Sequence, residues 1–247
     1  MSLPGDDHPH PSRFSRERWH RAGSGESLRN FVFGTSDGLV TVLAFVAGVS
    51  ASLAERRLIL LAGLSEMFAG TLSMGLGAFL GARAERDLYR RERAREEREV
   101  REVPELEREE LREIYRKKGF DGDELEKVIQ VLTANEQRWV DVMMSEELGL
   151  QPSNDSALKA GVVVGASYLV AAAIPLLPYL LLATRLALVA SVALTGLALV
   201  AVGVGKARFT QRPPSRAALE TLIAGWLGTV VCWGIGQMAA HFIGRSP

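Results

Sequence analysis

The amino-acid sequence predicts an all-α membrane protein with five transmembrane helices and a three-helix domain inserted between the second and the third. The chain of 247 residues carries 29 Lys and Arg and 29 Asp and Glu, and most of these charges lie in two segments, 1–30 and 83–155. Apolar runs make up much of the remainder, and about 20 apolar residues suffice to cross a bilayer as a helix. Good helix formers dominate the first part of the second charged segment.

Five apolar runs define the predicted transmembrane spans. They cover about residues 31–53, 58–82, 158–182, 186–204 and 219–243. Only Ala183, Thr184 and Arg185 separate the third run from the fourth, which predicts a tight helical hairpin. Pro175 and Pro178 precede this turn and predict a kink or the end of a span, because proline lacks the backbone N–H that a helix uses.

The chain is therefore expected to divide into four parts. They are a disordered cytoplasmic arm at 1–27, the first two spans at 28–82, a cytoplasmic helical metal-binding domain at 83–155 and the last three spans at 156–247. The arm is predicted to be disordered because it is polar and proline-rich and shows no apolar periodicity.

Basic residues near the spans predict the orientation, because cytoplasmic loops carry an excess of Lys and Arg. The arm and the loop between the fourth and fifth spans hold most of them: Arg13, Arg16, Arg18, Arg21, Arg29, Lys206, Arg208, Arg212 and Arg216. The opposite side has Arg56, Arg57, Arg185 and Arg245. We therefore expect the N-terminus and the insert in the cytoplasm and the C-terminus outside. The small size and the short loops favour a bacterial inner membrane over a vacuolar membrane.

Composition and motifs argue against several classes of protein. The formal net charge is zero, so no overall positive field attracts nucleic acid. The single cysteine, Cys232, rules out an intrachain disulfide and a paired-cysteine metal site. A nucleotide-binding loop of the Gly-x-x-x-x-Gly-Lys-Ser/Thr type is absent. A di-iron enzyme is disfavoured because it uses Glu-x-x-His pairs, whereas the four histidines, at 8, 10, 20 and 241, all lie outside the insert. We expect no enzymatic activity.

The second span contains a carboxylate in the middle of its apolar run. Glu66 should cost about 2.5–3.5 kcal/mol there unless it faces protein, water or an ion. Met74 lies eight residues further on and so on nearly the same helical face. A carboxylate and a thioether on one stripe suit a borderline divalent metal ion. Gly70, Gly75 and Gly77 are expected at close helix contacts, with the first two spans of two subunits facing each other.

The first span holds a second acidic group. Asp37 is some six residues into the run, or about 9 Å by helical rise, and Thr35, Ser36 and Thr41 surround it with hydroxyls. One interpretation is an interfacial aspartate at the membrane edge. The other is a polar path lined by Asp37 and Glu66, in which burial favours the protonated carboxyl and a nearby cation favours the ionised one. Such groups bind a cation or protons in turn, which is the chemistry of proton-coupled exchange.

The insert, residues 83–155, is predicted to form three helices. Helix formers continue from the second span as far as Glu102, and Pro104 ends this first helix. The second helix is expected at about 105–118, before Gly119. The third region, at about 123–148, has apolar residues at helical spacings, and Asn135 is expected to interrupt or cap it.

Metal-binding side chains recur on the predicted helix faces of the insert. Pairs spaced three or four residues apart, which share one face of a helix, occur on each predicted helix: Glu96 and Glu99, Glu107 and Glu110, and Met143 and Glu147. Two interpretations remain open. Neighbouring arginines make a solvated, ion-paired helix a sufficient explanation. Alternatively, three helices bring oxygens and thioethers together at a site for Fe²⁺, Mn²⁺ or Zn²⁺.

Four of these segments jointly resemble the vacuolar iron transporter family, in a similarity that extends from residue 28 to residue 244. They are 36–39 in the first span, 63–77 in the second, and 96–110 and 139–150 in the insert. The resemblance implies the subgroup with a cytoplasmic metal-binding domain. It also implies a homodimer of five-span subunits that exports Fe²⁺ from the cytosol in exchange for protons, along a path at the dimer interface beside the first two spans.

The functional residues that the resemblance implies coincide with those singled out above. In the membrane they are Asp37, Glu66 and Met74. In the insert, the implied metal ligands are Glu96, Glu99, Glu107, Glu110, Met143 and Glu147. The family often has a Glu at the position of Met144, where this chain has a thioether, so Met144 and the neighbouring Glu146 are additional candidates. The number and type of metal ions bound by the insert depend on them.

The leading hypothesis is a proton-coupled exporter of divalent metal. We expect no prosthetic group, because the metal, Fe²⁺ or alternatively Mn²⁺, Zn²⁺ or Co²⁺, is bound as the substrate. The expected partners are a second copy of the chain, the bilayer and protons. The alternative is a membrane-anchored metal sensor or storage scaffold that binds metal in the insert without transport. Asp37 and Glu66 favour the exporter, because a sensor needs no carboxylates at mid-bilayer.

Overall fold

The structure, a computed structural model, describes residues 22–52, 55–152, 156–210 and 213–243. Eight α-helices make up the regular secondary structure of these residues. They are α1 (Ala22–Ser52), α2 (Arg56–Glu102), α3 (Pro104–Lys117), α4 (Gly122–Thr133), α5 (Glu136–Glu146), α6 (Ala157–Leu181), α7 (Thr184–Thr210) and α8 (Pro214–Ile243). Five of them, α1, α2, α6, α7 and α8, are long and apolar enough to cross a membrane. The prediction of an all-α chain with five candidate spans is confirmed.

The start of the first helix differs from the prediction. α1 begins at Ala22, so residues 22–27, which were expected to belong to a disordered arm, are helical. A helix that is already stabilised by a packed span extends at little cost into adjoining polar residues, because only the first turn is expensive to form. Residues 1–21, which carry the rest of the predicted arm, lie outside the described part of the chain.

α6 lies at the centre of the membrane part and is the most buried of the five candidate spans. It packs against α1 and α2, and α8 packs against α1 and α7. Small residues permit the closest approach of α6 to α2: a Cβ on Gly161 would lie 2.8 Å from the carbonyl oxygen of Gly75. Close backbone contact of this kind is typical of helix pairs in membranes.

The prolines of α6 do not end the helix. Pro175 and Pro178 both lie inside it, and α6 reaches Leu181 before a connection of two residues leads into α7. The predicted tight hairpin is therefore present. The Ser191 hydroxyl of α7 donates a hydrogen bond of 2.7 Å to the carbonyl oxygen of Pro175. A neighbouring helix thus stabilises the backbone where prolines remove helical hydrogen bonds.

The second span continues directly into the insert. α2 has 47 residues, and at the usual helical rise it is about 70 Å long, more than twice the hydrocarbon thickness of a bilayer. The charged segment therefore begins as an extension of a membrane-length helix, as predicted from the absence of any turn signal. α3, α4 and α5 fold back against or beside this extension.

The third predicted helix of the insert is two helices. α4 ends at Thr133, and α5 begins after Asn135, whose side-chain oxygen accepts a hydrogen bond of 3.0 Å from the backbone N–H of Arg138. Asn135 thus caps α5, as expected, and the insert has four helical segments instead of three. Apolar side chains from all four form its core: Val100, Leu111, Leu125, Ile129, Trp139, Val140, Met143 and Met144.

Two of the three glycines singled out in α2 lie at close helix contacts. A Cβ on Gly70 would overlap the ring of Tyr168, and one on Gly75 would lie 3.2 Å from the carbonyl oxygen of Gly161, both on α6 of the same chain. Gly70 and Gly75 therefore make close helix contacts as predicted, and the helix that they contact is α6 of the same chain. The contact between the first two spans of two subunits stays a prediction. Gly77 has no neighbour within 4 Å of its Cβ position among the described residues.

Candidate metal centre

Three glutamates from separate helices meet in the insert. Glu96 of α2, Glu107 of α3 and Glu147 at the end of α5 each have a carboxylate oxygen within 4.8 Å of the others. Glu96 and Glu107 are only 1% and 3% exposed, while Glu147 is open to solvent. One oxygen of Glu96 and one of Glu107 are buried without a hydrogen-bond partner among the described residues. Such oxygens are costly unless a proton or a cation satisfies them, so the cluster has the chemistry of a divalent-cation site.

Glu99 and Glu110 border this cluster. Both are half-buried, and both lie close enough to Glu107 for their charges to act on it. Arg95 contacts the carboxylates of Glu96 and Glu99 at 3.2 and 3.3 Å. The structure therefore gathers five of the predicted carboxylates, and a single guanidinium balances part of their charge.

Burial and mutual repulsion favour protonation of the empty cluster. Loss of hydration, and then the charges of Glu110, Glu96 and Glu99, raise the pKa of Glu107 to about 7. Burial is also the main reason why the pKa values of Glu96 and Glu147 are raised. Carboxyl groups this close titrate as a unit, so the cluster holds protons in the neutral range. A bound divalent cation would displace them, and metal affinity should therefore increase with pH.

The stability of the metal-free chain should fall as the pH rises through neutrality. The pKa of Glu107, about 7 in the folded chain, exceeds its ordinary value of 4.5, so the folded state binds this proton more tightly than the unfolded state. The resulting stabilisation is complete below about pH 4.5 and is lost as the pH rises through about 7. Thermal unfolding followed by circular dichroism should show a lower Tm at pH 8 than at pH 5.5, and Glu107→Gln should reduce this difference. The same Tm at both pH values in the wild type would contradict the electrostatic account of the cluster.

Two buried methionines precede Glu147 on α5. Met143 and Met144 are 0% and 1% exposed, and both belong to the apolar core of the insert. Met143 is one helical turn before Glu147 and therefore on the same face of α5. Glu146 lies elsewhere, because its carboxylate forms an ion pair with Lys118, beyond the end of α3. The structure thus does not bring Glu146 into the cluster.

Ion pairs fix α5 against α2 on both sides of Glu96. Arg93 contacts Asp141 at 2.6 Å, and Arg101 contacts Glu136 at 2.6 Å. These side chains are partly exposed, so each pair contributes little to overall stability. Together with the apolar core of the insert, they hold α5 beside α2, and with it Met143 and Glu147.

A second acidic site lies between the helices of the membrane part. Asp37 of α1 and Glu66 of α2 are both partly buried, and both are near enough to Tyr168 of α6 to act on it electrostatically. The Thr41 hydroxyl donates a hydrogen bond of 3.3 Å to Asp37. Met74 packs against the apolar core that includes Tyr168. Asp37 and Glu66 thus lie in the electrostatic environment of one tyrosine, and Met74 packs against the core to which this tyrosine belongs.

Tyr168 is the residue that sequence reasoning missed. Tyrosine is usual at the two interfaces of a membrane, but Tyr168 is near the middle of α6 and is only 1% exposed. The available signal was a tyrosine at the centre of an apolar span. It was missed because the apolar ring of tyrosine fits the hydropathy of the span.

These features define a class of protein, an all-helical membrane protein with acidic residues inside its spans and a carboxylate cluster in an insert between two of them. The chain belongs to the VIT family, whose model matches residues 28–237. It is 38% identical over 232 residues to "Vacuolar iron transporter 1" of Oryza sativa subsp. japonica, covering 93% of this chain and 89% of the relative. The Arabidopsis thaliana protein of the same name is 39% identical over 220 residues, 88% of each chain. "Vacuolar iron transporter" of Plasmodium falciparum is 30% identical over 231 residues, 88% of this chain and 84% of the relative. The predicted family is confirmed.

Proposed function

We propose that this protein exports divalent metal, Fe²⁺ and also Mn²⁺, from the cytosol in exchange for protons. The observation that carries the proposal is the convergence of Glu96, Glu107 and Glu147. One buried oxygen of Glu96 and one of Glu107 lack a hydrogen-bond partner among the described residues. The relatives are named vacuolar iron transporters, which supports iron as the metal. A sensor or storage scaffold would explain the insert but would leave Asp37 and Glu66 unexplained.

The insert acts in this proposal as the site that captures metal from the cytosol. Its ligands are the residues that the resemblance implies: Glu96, Glu99, Glu107, Glu110, Met143 and Glu147. Carboxylates favour hard ions and a thioether favours softer ones, so this set suits borderline Fe²⁺ and also admits Mn²⁺, Zn²⁺ and Co²⁺. The metal is cargo that displaces the protons of the cluster, and the proposal requires no prosthetic group.

Asp37 and Glu66 exchange metal for protons within the membrane. A charged carboxylate inside a bilayer is costly, so each group is expected to carry either a proton or a share of a metal ion. Metal that arrives from the cytoplasmic side displaces protons, and protons from the outer side release the metal. Met74, two turns from Glu66 on the same face, contributes a sulfur that favours softer ions.

We also propose that the functional unit is a homodimer. α2 exposes a wide apolar face whose large residues, Leu61, Phe68, Leu72, Leu76 and Leu80, are between 57% and 65% exposed. Gly77 lies on this face, and Glu66 lies at its edge. A second copy packed there would complete the burial of Glu66 and place the transport path at the subunit interface.

The proposed orientation has the N-terminus and the insert in the cytoplasm and the C-terminus outside. The chain covers nearly the full length of plant relatives that are named vacuolar. Small size therefore does not separate a bacterial inner membrane from a vacuolar one. The short loops leave the bacterial inner membrane as our first choice, and export from the cytosol has the same direction in both membranes.

Metal uptake by proteoliposomes tests transport against the sensor or scaffold. We expect external Fe²⁺ to enter vesicles that contain the protein, and to enter faster when the lumen is more acidic than the medium. Protein-free vesicles at the same pH difference provide the control. Metal that binds to the protein without entering the lumen would favour the sensor or scaffold.

Met74→Leu should change which metal is transported best. Leucine keeps the volume and removes the sulfur, so uptake of Fe²⁺ should fall more than uptake of the harder Mn²⁺. Met67→Leu is the matched control, because Met67 lies on the same helix and in the same apolar core. It should leave the ratio of the two uptake rates unchanged. An equal loss for both ions in Met74→Leu would argue against a ligand role for its sulfur.

A further inference from the structure

We propose that Tyr168 is a positioning residue of the intramembrane site, whose hydroxyl orients the Glu66 carboxylate toward the metal ion. The inference rests on the proposed function, because it concerns the same transport path. It adds a third helix, α6, to a site otherwise formed by α1 and α2.

The position of the hydroxyl on α2 is the first observation. A Cβ on Gly70 would overlap both the Tyr168 hydroxyl and its ring, so the hydroxyl lies directly against Gly70. Glu66, Gly70 and Met74 follow one another at intervals of four residues and form one stripe of α2. The hydroxyl therefore takes the place of the missing side chain at the centre of this stripe, between the carboxylate and the thioether.

The contact of α6 with α1 is the second observation. A Cβ on Gly38, the neighbour of Asp37, would lie 2.6 Å from the backbone carbonyl oxygen of Tyr168. The same residue of α6 thus approaches α1 beside Asp37 and α2 beside Glu66. The charges of Glu66 and Asp37 both act on Tyr168, in agreement with these two contacts.

The unsatisfied hydroxyl is the third observation. Tyr168 is 1% exposed, and its hydroxyl oxygen has no hydrogen-bond partner among the described residues. Tyr179, on the same helix and 0% exposed, shares a hydrogen bond of 2.8 Å with Ser50. A buried tyrosine whose hydroxyl has no hydrogen-bond partner makes a protein less stable than a phenylalanine at the same position does. Packing alone would therefore favour phenylalanine at position 168, and the hydroxyl is expected to find its partner in another state of the transport cycle.

An ionised Glu66 supplies that partner. A tyrosine hydroxyl donates one hydrogen bond, and a donor beside a metal-binding carboxylate fixes the orientation of the carboxylate toward the ion. The ring of Tyr168 packs against Gly70 of α2, and its backbone packs against Gly38 of α1, so the position of its hydroxyl is determined before the metal arrives. The Glu66 side chain is then already oriented when the ion arrives, so its binding does not require a further loss of side-chain freedom.

Tyr168→Phe and Tyr179→Phe form a matched pair of variants that separates this role from a structural one. Fe²⁺ uptake by proteoliposomes should show that Tyr168→Phe raises the KM for metal about tenfold or more, with a nearly unchanged maximal rate. The Tm of the metal-free protein should stay the same or increase, because an unsatisfied hydroxyl is removed. Tyr179→Phe should do the reverse, lowering the Tm through the loss of the bond to Ser50 and leaving KM at the wild-type value.

Three results would overturn the inference. The first is a wild-type KM in Tyr168→Phe. The second is a lowered Tm or a loss of helix content in that variant, because the hydroxyl would then be structural. The third is a rise of KM in Tyr179→Phe equal to that in Tyr168→Phe. Wild-type protein that binds Fe²⁺ but takes up none would refute the proposed function and this inference with it. A transporting wild type beside an unaffected Tyr168→Phe would refute the inference alone.

Discussion

Glu66→Gln should abolish metal transport while the helices and the proposed dimer persist. Glutamine keeps the size of glutamate and its capacity for hydrogen bonds, but it neither ionises to bind a cation nor carries an exchangeable proton. The neutral amide is also less costly in a membrane than a charged carboxylate. Loss of a residue that only hydrogen-bonds a metal ligand typically reduces metal affinity or activity about 10–100-fold. We expect Glu66→Gln to reduce Fe²⁺ uptake by a larger factor.

Glu55→Gln is the control for this variant. Glu55 precedes α2, and its side chain makes no capping hydrogen bond, so the same chemical change there should leave uptake at the wild-type rate. Size-exclusion chromatography tests whether the variant has the same oligomeric state as the wild type, and circular dichroism tests whether its helices persist. If Glu66→Gln transported metal at the wild-type rate with the same proton counterflow, Glu66 would be only a buried structural acid.

Glu107→Gln should remove high-affinity metal binding from the insert. Glu107 lies at the centre of the cluster, since the charges of Glu110, Glu96, Glu99 and Glu147 all act on it. The variant loses an anionic ligand, so the metal binds less tightly, and repulsion in the empty cluster also decreases. Isothermal calorimetry on the full chain, with Glu66→Gln in both samples to silence the intramembrane site, isolates this effect. The double replacement of Glu107 and Glu110 by Ala should weaken binding further.

Glu113→Gln provides the comparison on the same helix. Glu113 is an exposed glutamate of α3 that pairs with Lys117 at 2.7 Å, and its replacement should leave metal binding unchanged. If Glu107→Gln and Glu113→Gln bound metal equally well, the charged segment would be a solvated helix held by ion pairs, and the insert would have no metal site at Glu107.

The helices of this protein were predictable because the physical requirements act locally. A bilayer requires long apolar runs in which the helix satisfies its own backbone hydrogen bonds, so all five spans are visible in the sequence. Asn135 is a recognisable cap because its side chain bonds the backbone three residues further along. The split between α4 and α5 was harder to place, since apolar residues at helical spacings continue on both sides of it.

The contacts between helices were less predictable, because they depend on how the helices pack. The spacing of Glu96 and Glu107 assigns each to a face of its own helix, and only the resemblance to a known family implied that the faces meet. Gly70 and Gly75 indicated close contact correctly, but the sequence does not say with which helix, and α6 of the same chain is the partner. Tyr168 escaped notice because a single hydroxyl hardly changes the apolar character of a span.

Simultaneous recording of Fe²⁺ uptake and internal pH in sealed proteoliposomes, at a clamped membrane potential, tests the central claim most directly. The proposed exchange predicts that the lumen becomes more alkaline as metal enters, in proportion to the metal taken up, and that Glu66→Gln abolishes both signals together. Entry of Fe²⁺ into wild-type vesicles without any change of internal pH would contradict proton-coupled exchange.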